Sequence, residues 1–217
     1  MKLNFPLLSS ALCLVFLSFG SCKKSEQTTQ KEDAIPAEET NQEVEQVAVS
    51  GSKSSHQTKS GKTFEVQTEP QGSSVMNISI SSNGFSANNG NWSIEGADPL
   101  SDTFIADLDK NGFEELYLIT TSAGSGSYGT IYGYASNNDK SATQIYIPEI
   151  SESDMAPGGK FAGYMGHDSI FLDQGVLYRK FPIYNEGDEN CCPSGGDRQL
   201  QYLLQPGEAS WILKIKD

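Results

Sequence analysis

Residues 122–129 read SAGSGSYG and set Gly124, Gly126 and Gly129 at the G-x-G-x-x-G spacing of a phosphate-cradling turn. Such a turn holds a pyrophosphate only when a strand enters it and a helix leaves it, because the helix N-terminus supplies the free N–H groups and the positive end of the dipole. Here ELYLIT enters with strand character, but TIYGYAS leaves with Ile131, Tyr132 and Tyr134 in another β-type run. The glycine spacing is therefore a coincidence, and a nucleotide site is not expected. What remains is an uncharged loop of small and hydroxyl residues with one large side chain, Tyr128. Glycine lets a backbone approach a surface closely, serine hydroxyls donate and accept, and an aromatic ring packs, a composition suited to entering a narrow polar cleft.

A second constellation lies just upstream in DLDKNGFEEL, where Asp107, Asp109 and Asn111 alternate before Gly112 and are followed by Glu114 and Glu115. Oxygen ligands at every second position converge on a calcium ion once a glycine turns the chain. An EF-hand needs glutamate at its twelfth position, and counting from Asp107 places Leu118 there, so that version fails. Two readings stay open: a shorter calcium loop with Asp107, Asp109, Asn111 and Glu115 as ligands, or a hairpin turn whose Asn111-Gly112 takes positive φ and whose acids are solvated.

For catalysis the inventory is thin. The chain has two histidines, His56 and His167. GHDS sets His167 beside Asp168 and Ser169, but consecutive strand positions point to opposite faces, so adjacency makes no triad. Carboxylates are plentiful and no apolar setting distinguishes a pair. The sequence reads as a protein that is not an enzyme and that uses no cofactor beyond the candidate calcium.

The four cysteines follow the ends of the chain. MKLNFPLLSSALCLVFLSFGSC has an early lysine, an apolar stretch from Phe5 to Phe19 and small residues before Cys22, the pattern of a secretory signal. Its FGSC ending resembles a bacterial lipobox, which makes residues 1–21 a lipoprotein signal peptide and Cys22 the lipidated N-terminus of an exported, membrane-anchored protein of the cell envelope. Cys191 and Cys192 are left as neighbours; they are not spaced as zinc ligands, and they are a candidate disulfide only through a strained ring. Residues 22–60 lack aromatics and are rich in Glu, Gln, Ser, Thr and Lys, and so read as a disordered tether. Its reach is about 35 Å.

Residues 61–217 make one domain. They hold nine Lys and Arg against 21 Asp and Glu, a net of −12 within the chain's −13. Nucleic acid needs a cationic footprint and is not expected as a partner; an acidic exported body favours cationic partners. Ten runs carry strand signals: KTFEVQT, SVMNISI, NWSIE, EELYLIT, TIYGYA, TQIYIPEI, DSIFLD, GVLYRKFPIY, RQLQYLLQ and SWILKIK. Asn-Gly pairs at 83–84, 89–90 and 111–112, and Asp173-Gln174-Gly175, supply turns. No window has a 3.6-residue stripe, so the fold expected is all-β, an antiparallel sandwich of about eight to ten short strands, with a closed antiparallel barrel as the alternative.

Two segments of this domain resemble a known family. DTFIADLDKNGFEELYLITTSAGSGSYGTIYGYA, and later FPIYNEGDENCCPSGGDRQLQYLLQPGEASWILK, are similar to the periplasmic inhibitors of i-type lysozyme, the PliI-like family. The resemblance implies that Ser125, Gly126, Ser127 and Tyr128 form an inhibitory Ser-Gly-x-Tyr loop that plugs the substrate cleft of a cationic lysozyme and so protects cell-wall peptidoglycan. The related inhibitors of c-type lysozyme carry one more residue between glycine and tyrosine, so the spacing here favours the i-type group. Most members are soluble in the periplasm, whereas this chain has a lipobox. The alternative is a lipid-anchored module that binds a glycan or calcium through residues 107–115 without inhibiting anything. A homodimer is compatible with either.

Overall fold

The computed structural model describes residues 51–217, so the signal, Cys22 and most of the expected tether lie outside the described residues. Twelve strands follow in order: β1 Ser52–Gln57, β2 Thr63–Pro70, β3 Met76–Asn83, β4 Asn91–Ala97, β5 Leu100–Ala106, β6 Glu115–Thr121, β7 Gly129–Asn137, β8 Ser141–Gln144, β9 Ser169–Asp173, β10 Val176–Pro182, β11 Asp197–Pro206 and β12 Trp211–Ile215. The one helix among the described residues, α1 Glu152–Met155, is a single turn closed by a capping box of Ser151 and Asp154.

The fold is all-β and antiparallel, as expected. Strands pair with their chain neighbours into three four-stranded sheets, β1-β2-β3-β4, β5-β6-β7-β8 and β12-β11-β10-β9. Each sheet keeps two edges, so the closed-barrel alternative does not form. The β5–β8 sheet is covered on both faces, which explains why ELYLIT is a continuous apolar run and not an alternating one. Leu116 and Leu118 of β6 join Phe64, Val66, Ile78 and Ile80 in one core; Tyr117 and Ile119 face the other way into a second core with Leu177, Tyr202, Leu204 and Leu213. The two cores follow from the two-residue period of a strand.

Two of the twelve strands had no clear signal. β1 lies inside the stretch read as tether, so the folded part begins earlier than residue 61. Its sequence SKSSHQ has no apolar residue because it is a solvent-facing edge, held by backbone pairing to β2, by Ser52 bonding Thr68 Oγ1 at 2.9 Å and by a Lys53–Glu65 ion pair at 3.0 Å. β5 is broken by a register shift between Leu100 and Asp102, which spoils its alternation. The run TQIYIPEI, by contrast, is a strand only to Gln144; beyond it Tyr146 makes an isolated bridge to Ile212 of β12. The turn at Gln174-Gly175 is the expected two-residue hairpin, with φ of 48° and 76°.

Candidate functional site

The β6–β7 hairpin closes at the Thr121–Gly129 pair and projects residues 122–128 between them. Ser122 ties the neck twice: its N–H donates to the Tyr128 carbonyl at 2.9 Å and its Oγ accepts from the Tyr128 N–H at 2.8 Å. Within the loop the Ser127 N–H donates to the Gly124 carbonyl at 3.0 Å, with Ser127 in the left-handed region at φ 42°. A Cβ at Gly126 would sit 2.3 Å from the Tyr128 ring, which folds back over it, so a larger residue there would displace the ring.

The back of the loop is bolted to the rest of the protein. Gly126 O accepts from the His167 N–H, and the Ser125 carbonyl accepts from Asn190 Nδ2 at 3.3 Å. Gly129 donates to Asp168 Oδ2 at 2.8 Å while its carbonyl accepts from Arg179 Nη2 at 3.1 Å. Asp168 and Arg179 form an ion pair at 3.6 Å with side chains only 1% and 6% exposed, and the Tyr164 hydroxyl donates to the same Asp168 oxygen at 2.7 Å. Burial, and after it that bond to Asp168, push the Tyr164 hydroxyl well above the ordinary tyrosine range, so it stays a donor. The Tyr128 ring meets Tyr164 edge to face at 5.7 Å.

The front of the loop is free. Ser125 is exposed, its hydroxyl has no partner among the described residues, and Tyr128 is 45% exposed. Beside it runs a groove of about 680 Å³ whose lining includes Tyr128, Tyr132, Tyr146, Tyr164 and Arg179. On the other flank lies the turn that carries Asn190, with acidic Glu186, Asp188 and Glu189. The backbone N–H groups of Ser194 and Asn185 hold the Asp188 carboxyl below the usual range, so that flank stays negative. Cys191 and Cys192 sit on the same turn, both exposed and both free, so the candidate disulfide is not formed.

His167 takes a turn conformation at φ 55° and stacks on Tyr184. No hydrogen bond joins it to Asp168 or Ser169 among the described residues, so GHDS forms no hydrogen-bonded triad. Asp168, Arg179, Tyr164 and Asn190 were not marked as loop supports by sequence reasoning. One signal was present: in VLYRKFP, Arg179 falls on the buried face of β10 between Leu177 and Phe181, where an apolar residue would be usual.

At the opposite end of β6 the turn after β5 brings Asp107, Asp109 and Glu115 together, with ligand oxygens all within 4.8 Å of one another. Asp107 accepts from the N–H groups of Asn111 and Gly112 at 3.0 and 2.9 Å. The Asn111 side chain is engaged inside the turn, its Oδ1 accepting from the Phe113 N–H at 2.7 Å and its Nδ2 donating to Asp109 at 2.8 Å. Lys110, not Asn111, takes the positive φ that precedes Gly112. Burial pushes the Glu115 carboxyl up to about 8, with the charges of Asp109 and Asp107 adding to the shift, and burial also raises Asp109. Neighbouring Glu114 is also buried, though less deeply, and is satisfied by the Lys59 N–H at 2.6 Å and Lys59 Nζ at 3.0 Å.

Compared with known proteins, the chain matches no family model, no curated protein and no solved structure.

Proposed function

We propose that this protein inhibits lysozyme, with i-type enzymes favoured, by inserting the Ser125-Gly126-Ser127-Tyr128 loop into the substrate cleft. The observation that carries the reading is a neutral Gly/Ser loop fixed from behind by a buried ion pair while its Ser125 hydroxyl and half the Tyr128 ring face solvent. A loop already fixed in one shape loses little entropy on binding, which is what a cleft plug requires. Lysozyme flanks its scissile bond with one protonated and one ionised carboxyl group. The Ser125 hydroxyl donates to the ionised carboxylate or accepts from the acid, Gly126 lets the backbone come close, and Tyr128 packs against the cleft wall. The inhibitor offers no bond to hydrolyse. The negative flank at Glu186, Asp188 and Glu189 steers a cationic enzyme toward the loop, and lipid on Cys22 would hold the domain at the envelope it protects.

A second reading, a lipid-anchored glycan-binding module, is favoured by the tyrosine-lined groove beside the loop. Clearing of a cell-wall suspension by i-, c- and g-type lysozymes, each with and without the protein, separates the two. Slowing of the i-type enzyme alone is expected; no slowing of any enzyme at large molar excess removes the inhibitor reading.

A further inference from the structure

We propose that Asp107, Asp109 and Glu115 form a calcium site in the turn between β5 and β6. The site goes beyond the inhibitor reading and does not depend on it. Two oxygens on opposite sides of a calcium ion, at about 2.4 Å each, are about 4.8 Å apart. The three carboxylate oxygens fall within that span of one another. No lysine, arginine or histidine pairs with any of the three among the described residues, although the adjacent Glu114 has Lys59.

The decisive group is Glu115. It is 1% exposed, and its Oε1 has no hydrogen-bond partner, while its Oε2 accepts from the Leu108 N–H at 3.1 Å and lies 3.5 Å from the Tyr117 hydroxyl. A buried, unpartnered carboxylate oxygen costs free energy unless something charged meets it. In this cluster an ion bound by Glu115 offsets that cost and the repulsion among three acids at once. The donors are all oxygen, which favours a hard cation over zinc or copper. The half-buried Asp107 and Asp109 leave one side open, so water completes the shell, and a turn with irregular spacing suits calcium better than magnesium with its shorter, stricter octahedron.

The test uses the full-length protein stripped with EDTA. Calorimetric titration with calcium chloride is expected to show one ion per chain, with half-saturation at or below about 1 mM, the range of extracellular modules. Thermal unfolding at tenfold that concentration should shift upward by about 5 °C, and magnesium at the same concentration should shift it less. Terbium offers an independent probe: excited through Tyr117, its emission should rise on binding and fall when calcium competes. Asp109→Asn, which changes a half-exposed side chain, should abolish the calcium shift and weaken binding at least tenfold while circular dichroism stays unchanged. Glu115→Gln should do the same if it folds, and Asp109→Asn decides alone if it does not. No calcium binding at 10 mM, equal responses to calcium and magnesium, or undiminished binding by the folded Asp109→Asn protein would each overturn the site.

Discussion

At the end of β6 that leads into β7, residues 122–129 borrow their rigidity from elsewhere: Asp168 and Arg179 grip Gly129, Asn190 and His167 grip Ser125 and Gly126, and the exposed side chains are neutral. At the end that follows β5, the turn is shaped by its own carboxylates, and Glu115, the more deeply buried of its two buried acids, is left short of a partner. The two turns are separated by seven strand residues, about 20 Å. The first presents neutral hydroxyl and aromatic groups outward, as a surface meant for another macromolecule does, while Asp168 Oδ1 and Arg179 Nε beneath it are buried without hydrogen-bond partners. The second has its surplus polar capacity turned inward, as a pocket for a small ion does.

Breaking the buried pair is the severest way to test that contrast. Asp168→Ala leaves Arg179 charged and unpaired beneath the loop and should cost about 3–5 kcal/mol in urea unfolding, with loss of inhibition; a loss under about 1 kcal/mol would mean the pair does not anchor the loop. Tyr128→Ala should leave stability within about 0.5 kcal/mol, since the ring is half exposed, yet weaken inhibition about 30-fold, as for a central contact residue. An equal loss of stability would turn Tyr128 into a structural residue.

The other end of β6 is sharpened by pH. Burial raises the folded carboxyl of Glu115 from 4.5 to about 8, so its neutral form fits the fold while the unfolded chain ionises it earlier. That contribution is present in full below about pH 4.5 and is lost as pH climbs through about 8. In EDTA, the melting temperature should therefore decline between about pH 5 and 8 for the native protein and decline less for Glu115→Gln; parallel curves would refute the shift. Lys59→Ala should matter least, within about 0.5 kcal/mol, because its side chain is 87% exposed and its backbone N–H still serves Glu114.

Much of this architecture could be read from residue order. Alternation in KTFEVQT and SVMNISI marks one buried face per strand, and the unbroken ELYLIT fits a strand covered on both sides. The polar edge strand β1 was illegible because backbone pairing, not side-chain burial, makes it a strand. Both turns at the ends of β6 stood out by composition, but what distinguishes them did not. The loop's supports come from residues 164–190, brought near only by sheet packing, and the isolation of Glu115 beside the well-paired Glu114 depends on which carboxylate Lys59 reaches.

The most direct test of the plug is inhibition of i-type lysozyme by three forms of the protein compared at equal molar ratio: native, Ser125→Ala/Tyr128→Ala and Asp107→Asn/Asp109→Asn. The expected result is slowing by the native and the Asp107/Asp109 forms and recovery of full lysis with the Ser125/Tyr128 form. Inhibition that survives loss of Ser125 and Tyr128, or that disappears with Asp107 and Asp109, would contradict it.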